Sequence, residues 1–146
     1  MSQKEEVVYK LPSRMRLEFI TPLRVIYEGP ADSINLPGSM GYIGLLPGHD
    51  PLMTTLGVGP VKLTVKGEEQ SFYCGGGFME VNDELVRMLV EVAEKPTEID
   101  VDRAEQARKR AEERLLRSLQ SESDIDFMRA ATALQRALTR IELSRK

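Results

Sequence analysis

Two residue types that build most catalytic and metal centres are almost missing from this 146-residue chain: it has one cysteine, Cys74, and one histidine, His49. A single thiol excludes an internal disulfide and any multi-thiolate metal site, and a single imidazole excludes a histidine-based metal cluster. Cys74 therefore reads as a small buried apolar residue. No apolar run approaches the roughly 20 residues of a membrane-crossing helix. The first twenty residues, MSQKEEVVYKLPSRMRLEFI, lack the unbroken apolar stretch of a secretory signal, so the chain is expected to stay in the compartment where it is made.

What is present is an ordinary folding composition, 41% apolar, enough for one full domain or for one compact domain with a small appendage. The net charge of −3 hides a division. Residues 1–100 carry 9 basic and 15 acidic side chains, whereas residues 101–146 carry 11 and 8. The two parts are expected to face different partners.

The residues 1–14 read as a loose extension. Over 15–95 the pattern is one of short strands, MRLEFI, LRVIYE, ADSINL, VKLTVK, QSFYCG, FMEV and ELVRMLVEV, separated by Gly, Pro, Asn and Asp. Alternation is clearest where Val61, Leu63 and Val65 interleave with Lys62, Thr64 and Lys66. KGEE and VNDEL read as hairpin turns. Roughly nine or ten such strands with no helix between them predict a β-sandwich or flattened barrel. CGGGF lacks the Lys-Ser/Thr of a phosphate-binding loop and leads into a strand, so it predicts a bulge or a close backbone approach.

After Lys95-Pro96-Thr97 the period becomes helical, and 96–146 predicts an antiparallel two-helix hairpin. Its first helix runs from about Val101 to Leu119 with Asp100 as N-cap and an apolar stripe of Val101, Ala104, Ala107, Ala111, Leu115 and Leu119. The second starts near Ser123, with Asp126 completing a weakened capping box, and buries Phe127, Ala130, Ala133, Leu134, Ala137, Leu138 and Ile141. Alanine lets helices approach but buries little area, which predicts a pair that is marginal alone and movable.

Arg103, Arg110, Arg114 and Arg117 fall in one sector of the first helix, and Arg129, Arg136 and Arg140 in one sector of the second. An antiparallel arrangement puts both sectors on one edge, with Arg103 opposite Arg140 and Arg110 near the level of Arg136. Such a cluster is either a solvated face, a site for an acidic protein surface, or a cradle for a triphosphate, which guanidinium forks hold in pairs of hydrogen bonds. Nucleic acid fits poorly, because the chain is acidic and this half has one aromatic residue, Phe127.

Several spaced segments resemble one family: ITP at 20–22, LLPGHDPL at 45–52, GGGFMEV at 75–81, MLVEVAE at 88–94, and IDVDRA at 99–104 before the alanine- and arginine-rich hairpin. Together they resemble the epsilon subunit of bacterial F-type ATP synthases over residues 15–141. The resemblance implies an N-terminal β-sandwich followed by a C-terminal helical hairpin, in a non-catalytic subunit of the central stalk. It implies contact of the sandwich with the gamma subunit and the c-ring, coupling of proton flow to ATP synthesis, and a hairpin that extends toward the catalytic alpha and beta subunits to inhibit ATP hydrolysis. It also implies a peripheral place at the cytoplasmic face of the bacterial cell membrane, held through the complex alone. A motif of the form I/L-D-x-x-R-A binds ATP in some members; Ile99, Asp100, Arg103 and Ala104 match it, and Arg110, Arg136, Arg140 and Glu94 fall where further ligands are expected. ATP would be a regulatory ligand, no cofactor being required.

Gly41-Tyr42-Ile43-Gly44 stands where many members carry G-E-L-G, and Asp50 where a small apolar residue is usual, so an acidic contact is lost or moved. Tyr42, His49 and Asp50 are the candidate subunit contacts. His49 otherwise belongs to a turn built by Pro47-Gly48; it lacks the nucleophile and orienting carboxylate of a catalytic base. No residue is assigned a catalytic or metal-binding role. A free-standing nucleotide-sensing module using the same hairpin is the competing reading.

Overall fold

A computed structural model describes residues 14–120 and 124–145. The capping box at Ser123 and, Arg14 apart, the N-terminal extension lie outside these residues. Eight strands come first: β1 (Met15–Ile20), β2 (Val25–Ala31), β3 (Ser33–Gly38), β4 (Gly41–Leu45), β5 (Leu52–Val65), β6 (Glu68–Asn82), β7 (Leu85–Val90) and β8 (Ala93–Glu94). A 3₁₀ turn, Pro96–Glu98, leads to helices α1 (Val101–Ser118) and α2 (Asp124–Ser144). The fold is the expected sandwich followed by a helical hairpin.

The strands form one hydrogen-bonded sheet in the order β2-β1-β7-β6-β5-β3-β4, with β8 pairing to the first half of β6. β1 and β7 run parallel and every other pair is antiparallel. The strands are fewer than the pattern predicts because two of them, β5 and β6, are long, with 14 and 15 residues. Glycine explains the difference: QSFYCG and FMEV are one strand that bends at Gly75-Gly76-Gly77 and does not end there. A Cβ at Gly77 would lie 2.2 Å from the Leu89 carbonyl oxygen, so only glycine admits that approach. Beyond the bend, β6 changes neighbours from β8 to β7, which carries the sheet from one layer to the other.

Between the layers lies one core. Phe19 of β1 and Phe72 of β6 meet edge to face across it, with ring centroids 5.6 Å apart. Val61 and Leu63 are fully buried while Lys62 and Thr64 are not, as their alternation requires. Lys66 and Gly67 both have positive φ, 50° and 80°, the pattern of a type I′ hairpin turn between β5 and β6. Cys74 is buried with the core, and burial pushes its thiol up to about 11.

In the hairpin, the small residues carry the helix contact. Ala104, Ala111 and Ser118 on α1, and Ala130 and Ala137 on α2, are buried at a spacing of seven. Ser118 satisfies its hydroxyl locally, donating to the Leu115 carbonyl at 2.6 Å. Four residues of the predicted stripes depart from expectation: Val101, Leu119, Phe127 and Leu138 are exposed, because the seam is lined by small residues and larger ones stand beside it. Leu143, outside the predicted stripe, is buried instead, since the C-terminal half of α2 is the part that lies against the sandwich.

Candidate functional site

Where the hairpin meets the sandwich, Tyr73 of β6, Ile99 of the linker and Leu143 of α2 form a second small apolar cluster, with Val58 packed against it. Asp100 caps α1 as expected, its Oδ1 accepting the Arg103 N–H at 3.1 Å. That cap fixes the helix start so that Arg103, Ala104, Ala107 and Arg110 line one wall of a cleft of about 550 Å³. Glu94 and Glu98 of the sandwich edge and linker, and Arg140 of α2, line it too. Of the eight residues expected around ATP, six therefore share this cleft. Ile99 lies beneath it in the apolar cluster, and Arg136 is exposed on α2 one helical turn from Arg140 and outside the lining.

Arg140 is the best-held cation of the set. Its Nε donates to Glu94 Oε1 at 2.7 Å, Nη2 reaches the same oxygen at 2.7 Å, and the guanidinium lies 4.2 Å from the centroid of the Tyr73 ring. A guanidinium stacked and paired in this way is already oriented where it lines the cleft. The Tyr73 hydroxyl is buried without a hydrogen-bond partner among the described residues; burial raises its pKa, an effect that Arg140 and then Arg136 oppose.

Glu98 is held by Arg24 from the turn between β1 and β2. Nη1 of Arg24 donates to Glu98 Oε1 at 3.0 Å, Nη2 pairs with Oε2, and the Lys95 N–H adds a bond to Oε2 at 3.2 Å. The Arg24 hydrogen bonds chiefly hold the Glu98 carboxyl down at about 2. Nothing in the residue pattern marks Arg24 or Tyr73, since the partners lie 74 and 67 positions away; no local spacing could have found them.

The expected subunit-contact residues lie at separate places. Leu46-Pro47-Gly48-His49 is the predicted turn, with Gly48 at φ 84° and the His49 N–H donating to the Leu46 carbonyl at 3.2 Å. The His49 ring donates through Nδ1 to the Asp50 carbonyl at 2.7 Å. Both residues line a groove of about 890 Å³ with Arg16, Glu18, Asp83 and Glu84. Tyr42 lines a different cleft, of about 500 Å³, with Lys62, Gln135 and Thr139. A further surface was not anticipated: Ile20, Leu89 and Phe78 stand in one cross-strand row on β1, β7 and β6, and Leu89 and Phe78 are more than half exposed.

Residues 14–96 match the ATP synthase delta/epsilon chain beta-sandwich domain, and residues 97–145 its long alpha-helix domain. The chain belongs to the ATP synthase epsilon-chain family. An epsilon chain of Nitratidesulfovibrio vulgaris is 38% identical over 129 residues, covering 88% of this chain and 94% of that one. An epsilon chain of Brevibacillus brevis is 45% identical over 104 residues, covering 70% and 79%. The fold is shared with a chain of the Euglena gracilis mitochondrial ATP synthase, at a TM-score of 0.74 and 22% identity, covering 92% of this epsilon chain and 84% of that one. It is also shared with a chain from the central stalk and c-ring of the Tetrahymena thermophila enzyme, at 0.57 and 17%, covering 94% and 97%.

Proposed function

We propose that this epsilon chain is a non-catalytic rotor subunit in the central stalk of a bacterial proton-translocating ATP synthase, and that its hairpin is a switch restraining ATP hydrolysis under the control of bound ATP. The sandwich contacts the gamma subunit and the c-ring, and the hairpin meets the catalytic alpha and beta subunits when it extends. The chain is then peripheral at the cytoplasmic face of the cell membrane, attached through the complex. No helix among the described residues is long and apolar enough to cross a bilayer. The row of Ile20, Leu89 and Phe78 offers a protein partner apolar surface to cover.

The junction cleft carries the regulatory part of the reading. It brings three guanidiniums from two helices, Arg103, Arg110 and Arg140, around a space of about 550 Å³, within the usual range for a small-molecule site. Ala104 and Ala107 keep that wall low, and Asp100 is already committed to the helix cap. A triphosphate fits this donor set, and binding there would join hairpin to sandwich. The docked state itself rests on few groups: Leu143, the α2 side chain in the cluster around Tyr73, contributes about 1.5–3 kcal/mol of apolar burial. A ligand at a hundred times its Kd adds about 2.7 kcal/mol to the state that binds it, enough to tip such a balance.

Calorimetric titration of the isolated protein with ATP, with and without magnesium, tests this reading. One-to-one binding that disappears in Arg103→Ala and weakens in Arg110→Ala is expected. Absence of heat up to millimolar ATP would refute a nucleotide clamp and leave the arginines to an acidic protein surface.

A further inference from the structure

Three carboxylates line the junction cleft beside its three guanidiniums, and each is answered differently. Asp100 accepts the N–H of Arg103 at the helix start, and Glu94 is paired by Arg140 inside the cleft. Glu98 is answered from outside, by Arg24, which does not line the cleft at all. Without Arg24, an ionised carboxylate at the cleft would face any anionic ligand with its guanidinium partner gone and the Lys95 N–H as its one remaining donor among the described residues. The Glu98 carboxyl titrates at about 2, so this charge is present at every physiological pH.

Arg24 is itself placed by a closed turn. The buried Thr21 donates its N–H to the Arg24 carbonyl at 2.9 Å, and its hydroxyl accepts the N–H groups of Leu23 at 3.3 Å and Arg24 at 3.1 Å. From this turn the Arg24 fork spans both oxygens of Glu98. Glu98 in turn belongs to the chain link that leads from sandwich to hairpin, the 3₁₀ turn closed by the Glu98 N–H on the Lys95 carbonyl at 2.9 Å. A two-pronged pair at this point holds the linker as well as the charge.

We propose that Arg24 is a positioning residue of the junction cleft: its pair with Glu98 pins the linker to the sandwich and cancels the carboxylate that would otherwise repel the phosphates of a bound nucleotide. The second half of this proposal rests on the nucleotide reading above, whereas the first does not. The charge effect and the linker effect differ in what restores them. Removing the Glu98 carboxylate repairs a repulsion, but it cannot repair a lost tether.

The test uses the full chain and two readouts. ATP affinity is measured by calorimetry for the parent protein, Arg24→Ala, Glu98→Gln and the double variant Arg24→Ala/Glu98→Gln. Arg24→Ala is expected to weaken binding about fivefold or more, and the double variant, which lacks the carboxylate as well, to regain the part of that loss due to repulsion. A normal affinity in Arg24→Ala overturns the proposal, and a double variant as weak as the single one overturns its charge half. Spin labels at Glu69→Cys on the sandwich and Lys109→Cys on α1 give the second readout, since the buried Cys74 thiol does not compete for label. Should the parent bind no ATP, the nucleotide reading falls and this distance decides alone: a broadened, lengthened distribution in Arg24→Ala supports the pin, and an unchanged one overturns it.

Discussion

The Arg140 guanidinium lies 4.2 Å from the centre of the Tyr73 ring while its Nε and Nη2 both point to Glu94 Oε1. One side chain of the hairpin is thereby held by two paired strands of the sandwich, β6 and β8, in which Tyr73 and Glu94 are cross-strand partners. Lysine keeps the charge and loses both the fork and the stacking face. Arg140→Lys is therefore expected to loosen hairpin docking by about 1 kcal/mol and to weaken ATP binding about tenfold, read by calorimetry and by hydrogen exchange over α2.

The Asp100 cap separates charge from hydrogen bonding. Asp100→Ala leaves a first-turn N–H without its acceptor and should cost α1 about 1 kcal/mol, seen as faster amide exchange in its first turn. Asp100→Asn keeps an acceptor of equal quality and should exchange like the parent protein.

Glu98 sets a pH window. Its carboxyl titrates at about 2 when docked against 4.5 for the unperturbed group, so the docked state holds fewer protons than the undocked one between those values. The contribution of the pair is fully present above about 4.5 and is lost as pH falls toward about 2. The distance between labels on sandwich and hairpin should stay constant from about pH 8 to 5 and lengthen below that, and in Glu98→Gln this component of the acid response should vanish.

Two glycines at the bend of the long strands should respond very differently in size. A Cβ at Gly77 would meet the Leu89 carbonyl oxygen at 2.2 Å, at a φ of 156°, whereas one at Gly57 finds nothing nearer than 3.7 Å. Gly77→Ala is expected to cost more than about 3 kcal/mol in denaturant unfolding, and Gly57→Ala less than about 1 kcal/mol.

Much of this was legible in the residue pattern because it depends on short-range rules. Alternation in Val61 to Lys66, the Lys66-Gly67 turn, the Pro47-Gly48 turn and the Asp100 cap are each decided within a few positions. So was the gathering of Arg103 and Arg140, which follows from two helical periods and an antiparallel connection. The glycine run was legible as a close approach, although not that the strand continues through it. Leu143 was missed because helical periodicity tells which residues share a face and not how far along the helix a neighbour extends. Arg24 with Glu98, and Tyr73 under Arg140, are products of tertiary placement, and no spacing in the chain announces them.

The contacts named between α2 and the sandwich fall between Gln135 and Leu143, and Ile99 at the other root of the hairpin joins the same cluster around Tyr73. Both roots are thus clamped at one fulcrum, and α1 projects from it for 18 residues, about 27 Å of lever arm. A swing of about 20° at Tyr73 would carry the far end of that arm about 9 Å, nearly a helix diameter. Few contacts at the pivot therefore gear a small local rearrangement into a stroke on the scale of a subunit interface.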